Sequence, residues 1–181
     1  MNDPSILDAF QAYDNAYQSV DPDQGFGSLG IWPVEAGKDD TPVLIVRGFS
    51  VTEGAFYPSK TNKDLKVPAR NLQFQYQTTA EHPTMPNHQF NGVPFSLPVD
   101  PNSAGENEWR VERDMRRLKG HLQALLGDDF VDGAGWQSAN LKNLAARFAT
   151  GSVIVAKCKL ENSRPNGKGG FYCNDYIISA E

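Results

Sequence analysis

Residues 151–181 leave this chain few ways to fold. Gly151-Ser152 opens the run Val153-Ile154-Val155-Ala156-Lys157-Cys158-Lys159-Leu160, whose middle alternates. Ile154, Ala156, Cys158 and Leu160 point one way and Val155, Lys157 and Lys159 the other, the period of a β-strand. Residues 161–170 follow, rich in Asn, Gly, Ser and Pro and carrying Arg164 and Lys168, the composition of a turn. Phe171-Tyr172-Cys173-Asn174-Asp175-Tyr176-Ile177-Ile178 is aromatic and β-branched, which fits a returning strand. The expected product is a terminal hairpin with one apolar face and one lysine face. An apolar face needs a second layer to cover it. Lysines beside aromatics match a partner that is anionic and flat, and nucleic acid is the first candidate.

The rest of the chain supplies that second layer. Asp3-Pro4 reads as a helix start, and Ile6, Leu7, Phe10, Tyr13 and Tyr17 recur at helical spacing, so residues 1–22 are expected to form a helical arm. It would pack on the main domain or on a second subunit. Residues 26–35 and 41–53 read as strands with a turn at Gly37-Lys38-Asp39-Asp40 between them. Pro42-Val43-Leu44-Ile45-Val46 has the pattern of a strand buried on both faces, continued by Arg47, Phe49 and Val51 in alternation. Residues 57–70 form a polar, basic loop. Leu72, Phe74 and Tyr76 alternate with Gln73, Gln75 and Gln77 in a further strand, and residues 93–98 give a short edge strand marked by prolines. Trp109, Met115, Leu118, Leu122 and Leu125 then mark one face of a helix over 107–126, with Arg110, Arg113, Arg116, Arg117 and Lys119 on its solvated surface. Leu141, Leu144 and Phe148 mark a shorter helix.

This order predicts a mainly β protein with α insertions (α+β). The specific expectation is a five-stranded OB-type barrel over residues 23–181, with helices between strands 3 and 4 as an insertion at about 103–150. An α+β sheet with helices on one face is the alternative.

Charge is divided along the chain. Residues 1–109 carry 6 Lys/Arg against 14 Asp/Glu, and residues 110–181 carry 11 against 8. The acidic first part argues against a general polyanion binder, whereas the basic second part allows an anionic partner there. The start, Met1-Asn2-Asp3-Pro4, has no apolar leader segment, and no apolar run nears the roughly 20 residues that span a bilayer. With 2 cysteines, a reduced cytoplasmic protein without membrane contact is expected.

Motifs of catalysis are missing: no Walker loop, GxGxxG, HExxH or GxSxG occurs. Gly167-Lys168-Gly169-Gly170 leads into a strand and reads as a turn instead of a phosphate loop. His82 and His88 have no companion cysteine pair, so neither a metal nor another cofactor is expected. Cys158 and Cys173 would lie nearly opposite each other if the hairpin turned at Pro165-Asn166, as buried structural thiols. What remains is a binding surface for a single strand, with cations for its backbone and aromatics under its bases. Lys157, Lys159, Arg164 and Lys168, with Phe171 and Tyr172 on the return strand, supply both. Arg47 and Phe49 would extend it from the earlier strand, and Lys60 and Lys63 from its loop.

The order of these features resembles that of phage-encoded single-stranded-DNA-binding proteins of replication and recombination modules. The likeness rests on the Leu-rich helix Arg117-Leu118-Lys119-Gly120-His121-Leu122-Gln123-Ala124-Leu125-Leu126-Gly127 and a second helical stretch over 141–148. It continues through the strand opened by Gly151, the turn Asn166-Gly167-Lys168 and the strand Phe171-Tyr172-Cys173-Asn174. It covers about the last 75 residues well. It implies an OB barrel that protects single-stranded DNA without catalysis, with Lys157, Lys159, Lys168, Phe171 and Tyr172 at the basic and aromatic positions of the last hairpin. A homo-oligomer, or a replication protein of phage or host, would be a further partner. Ser179-Ala180-Glu181 offers no acidic tail of the kind that recruits partners in many such proteins. The rival expectation is an interaction or inhibitor module whose acidic first part acts on a host protein.

Overall fold

The computed structural model describes Tyr13, residues 38–165 and residues 171–181, with the backbone alone at residues 38–39, 162–165 and 171–173. Among the described residues seven strands form one antiparallel sheet: β1 (Lys38–Asp40), β2 (Val43–Phe56), β3 (Val67–Thr78), β4 (Gln89–Asn91), β5 (Phe95–Pro98), β6 (Ile154–Pro165) and β7 (Phe171–Ala180). Two helices, α1 (Glu108–Leu126) and α2 (Trp136–Ala149), lie between β5 and β6 in the chain. The protein is thus mainly β with an α insertion, as its residue periodicities predict.

β2 and β3 pair along nearly their whole lengths, from Leu44 opposite Thr78 to Phe56 opposite Val67. β2 also pairs with β6, β6 with β7, and β3 with β4 and β5 in turn. Five described strands therefore precede the helices and two follow. β1 and β4 are only three residues long, which is why their sequences carry little strand signal, whereas β5 falls within the edge strand expected over 93–98. Lys38–Asp40, expected to turn, is a strand paired with Asn162, Glu161 and Leu160. The strand expected over 26–35 lies outside the described residues. No ladder joins β7 to β4 or β5 among the described residues, so the sheet is open there.

A β-bulge at Arg47 decides which β2 side chains reach the core. The pairing with β3 shifts between Val46 and Gly48. One extra residue reverses the in-and-out parity of everything after it. Leu44 and Val46 point inward before the bulge and Phe49 after it, while Arg47 is left outside. The sequence pattern, read without the bulge, puts Arg47 and Phe49 on one face. Val43 is exposed and Ile45 half-buried, so this strand is covered on one side only.

Helix α1 begins beside a Glu108 that suits the positive end of its dipole and stops at Gly127, whose φ of 55° favours glycine. Val111, Met115, Leu118, Leu122 and Leu125 make its buried stripe against the inner sheet face, where Phe74 and Phe95 meet edge to face at 6.0 Å. α2 starts five residues earlier than its leucine spacing implies, at a fully buried Trp136. Asn140 ties the preceding loop to it by accepting from the Val131 N–H and donating to the Val131 carbonyl. Tyr13 is helical and buried, and its hydroxyl donates to the Pro98 carbonyl, so at this residue the arm touches the main sheet. No helix among the described residues is long and apolar enough to cross a membrane.

Candidate functional site

A cleft of about 580 Å³ opens where the loop after β2 meets the start of α1. Tyr57, Ser59, Lys60, Lys63, Asn107, Trp109 and Arg110 line it. Three are cations, two are aromatic, and none is a carboxylate. The loop is built by its own short polar residues: Ser59 Oγ accepts from the Thr61 and Asn62 N–H groups, and Asn62 Oδ1 from those of Asp64 and Leu65. It is also tied to the helix start. Asn107 Nδ2 donates to the Tyr57 carbonyl at 2.6 Å, and Glu106 accepts from the Lys60 N–H at 3.3 Å. Gly105, at φ 56°, lets the loop approach this closely, since a Cβ there would lie 2.9 Å from the Pro58 carbonyl oxygen.

On this frame Trp109 is 50% exposed and Tyr57 44%. Cations attend the rings. The Lys60 ammonium lies 5.4 Å from the Trp109 ring centre, the Arg113 guanidinium 5.7 Å from the same ring, and the Arg110 guanidinium 5.4 Å from Phe56. Large exposed aromatics beside cations can stack on planar π-systems and neutralise phosphates at once.

A second polar cluster is closed to solvent. The Asp175 carboxylate accepts from Tyr76 Oη at 3.1 Å and from Arg117 Nη2 at 3.2 Å, with His121 Nε2 at 3.8 Å. Arg117 also lies 3.6 Å from Asp114, and its guanidinium stands 4.4 Å over the Phe95 ring. Burial raises the Asp175 pKa, but the adjacent His121 ring, the Arg117 charge and the Tyr76 hydrogen bond outweigh it and hold this carboxyl below its ordinary value. Burial, and then the nearby Asp175 charge, push the Tyr76 phenol well above its ordinary value. Arg117 and Asp175 have almost no solvent access, so the cluster can act on the fold but not on a ligand from outside.

The residues expected to form one surface are distributed differently. Lys60 and Lys63 line the cleft. Lys157 is exposed and Lys159 half-buried, on the outward face of β6. Lys159 lies 3.9 Å from Glu161 and 5.8 Å from the Tyr176 ring centre. Lys157 pairs opposite Val43, the first residue of β2, while Lys60 follows the last. The two groups are thus separated by the length of β2, a contour of about 45 Å at roughly 3.3 Å per residue. Arg47 is exposed and donates to Gln77. Phe49 is a correction: it is 6% exposed and packs edge to face on Phe74 and Phe148, so the bulge removes it from any surface. Lys168 and the side chains of Arg164, Phe171 and Tyr172 lie outside the described residues; the backbones of Arg164 and Tyr172 pair with each other. Cys158 faces Ile177, and Asn162 faces Cys173, so the two cysteines are not cross-strand neighbours.

Two further expectations for α1 are corrected. Arg117 and Lys119 are buried instead of solvated, Arg117 on Asp175 and Lys119 by an ion pair of 3.0 Å to Asp132 and its place over the Trp136 ring. Trp109, expected in the core, is outside. The sequence held the signal for Trp109: it precedes Met115 by six positions, about 240° around a helix, whereas Val111 precedes it by four. Tyr57 and Arg110 carried no such mark. His82 accepts from the Met85 N–H at 3.1 Å and organises its own turn. Among the described residues no group of three His, Cys, Asp or Glu side chains is placed to hold a metal ion. No family model, curated protein or solved structure matches this chain.

Proposed function

We propose that this protein binds and protects single-stranded DNA without catalysis, as a phage replication or recombination factor acting in the cytoplasm of its host. The observation that carries the reading is the cleft: Trp109 and Tyr57, each about half exposed, share it with Lys60, Lys63 and Arg110 and with no carboxylate. A single strand presents the matching pair of features, a π-face at each base and a negative charge at each phosphate. Duplex DNA hides the first.

The fold we propose is an OB-type barrel opened along one seam. Its support is the pairing order β4/β5–β3–β2–β6–β7, in which the long, bulged β2 is shared by both halves. If β1 and β2, which both pair with β6, count as one interrupted strand and β4 and β5 as another, three strands precede the helices and two follow. Gly92, after β4, lies close enough to Asp175 on β7 that an added Cβ would sit 2.8 Å from the carboxylate, so the free edges approach each other. In such barrels the loop between the first two strands borders the ligand face, and here that loop carries Lys60 and Lys63.

The test is fluorescence anisotropy of a labelled oligo-dT, titrated with protein at low and moderate salt beside a duplex control. Binding to the single strand alone, with log K falling by about 0.7 per phosphate contact for each decade of salt, supports the reading. No binding at low salt retires it and makes a host protein the next partner to seek.

A further inference from the structure

We propose that Trp109 is a base-stacking platform, and that in the unliganded protein the Lys60 ammonium occupies the place on its ring that a base takes. On binding, a base takes the place of the Lys60 ammonium on the indole and the ammonium passes to an adjoining phosphate. This rests on the single-strand reading of the cleft.

Two cations attend the Trp109 ring, and they are held differently. Arg113 is fixed: its Nη2 and Nε donate to Asp114 at 2.9 and 3.2 Å, and Asp114 is itself buried. Among the described residues no carboxylate pairs with the Lys60 ammonium, which has only the ring at 5.4 Å. Its main chain is nonetheless anchored, because the Lys60 N–H donates to Glu106 and the Ser59 side chain closes the turn around it. Lys60 is therefore a long side chain on an anchored main chain, its ammonium held by no carboxylate of the described residues, with Lys63 and Arg110 lining the same cleft. An exposed ammonium over an indole is weakly held, and a base stacks there more strongly. A phosphate brought in with that base offers the displaced ammonium a full opposite charge. The exchange keeps the cation satisfied in both states, while a ligand lacking bases has nothing to put on the ring.

The test compares labelled oligo-dT with an abasic oligomer of equal length, using the full chain and its Trp109→Ala, Trp109→Phe and Lys60→Ala variants, with circular dichroism to confirm the fold. Trp109→Ala should weaken oligo-dT binding roughly 5- to 150-fold and leave the abasic oligomer unchanged. Trp109→Phe should recover much of that loss. Lys60→Ala should reduce the salt slope by about 0.7, one phosphate contact, and increase acrylamide quenching of the half-exposed Trp109 in the free protein. Wild-type binding of both oligomers with no selective effect of Trp109→Ala overturns the platform and leaves the strand-binding reading intact. An unchanged salt slope in Lys60→Ala overturns the exchange. If the wild type binds neither oligomer, the strand-binding reading falls and this inference with it.

Discussion

Arg117 on α1 and Asp175 on β7 lie 58 residues apart in the chain and 3.2 Å apart in the fold, both shielded from solvent. Their pairing pins the helix to the last strand. Breaking a buried pair on one side leaves a charge with no water and no partner. Arg117→Ala should therefore cost about 3–5 kcal/mol of unfolding free energy, measured by urea titration. Arg117→Met combined with Asp175→Leu should recover much of the loss, because an apolar pair strands no charge. Equal losses in the single and double variants would assign the cost to packing instead.

The same cluster sets the pH response. The folded Asp175 carboxyl titrates below its ordinary value near ~3.9, so its contribution is complete above about pH 4 and is lost as pH falls from there toward the folded value. Tyr76 is displaced in the opposite sense. Its neutral phenol stabilises the fold fully below about pH 10, and that part is lost as pH rises further. Tyr176, pushed up to about 12 by burial and by the Glu161 charge, adds to this alkaline limb. Urea midpoints across pH should accordingly show a plateau with two falling limbs. Asp175→Asn should flatten the acid limb, and Tyr76→Phe should reduce the alkaline limb without abolishing it.

What the sequence disclosed follows the range of the interactions involved. Ile154, Ala156, Cys158 and Leu160 announce their inward face because a strand's period is local, and the same holds for Leu72, Phe74 and Tyr76. Arg117 misleads for the opposite reason. Its neighbours on α1 look like a solvated basic face, and nothing near it in the chain reveals that Asp175 arrives from the last strand. Phe49 misleads through the bulge, a one-residue irregularity whose effect on parity exceeds any side-chain preference. The cleft was half legible. Lys60 and Lys63 stood out by charge, but Tyr57 and Trp109 join them only once the loop docks on the helix start.

Gly92 offers a test of how tightly the sheet edges meet. An added Cβ there would lie 2.6 Å from the Tyr76 ring and 2.8 Å from Asp175 Oδ2, both held by the buried cluster. Neither neighbour can retreat without breaking a hydrogen bond. Gly92→Ala should thus destabilise the protein by about 1–3 kcal/mol. Combining it with Tyr76→Phe should cost less than the sum of the two, since the second change frees the ring that blocks the first.

The decisive contest is between the two basic groups. Lys157 and Lys159 project from the outward face of β6, but Lys159 is already engaged by Glu161 and Tyr176, and no exposed aromatic of the described residues shares their surface in the way Trp109 shares that of Lys60. Phosphate neutralisation without a stacking surface gives weak, salt-labile attachment. Lys60→Glu with Lys63→Glu should therefore weaken oligo-dT binding more than tenfold, by losing two attractive charges and adding two repulsive ones beside Trp109. Lys157→Glu with Lys159→Glu should weaken it less, and mainly at low salt. Anisotropy titrations of both double variants at two salt concentrations decide the matter. The reverse ranking would move the binding surface to the terminal hairpin, and near-equal large losses would mean that one strand runs the length of β2 and touches both ends.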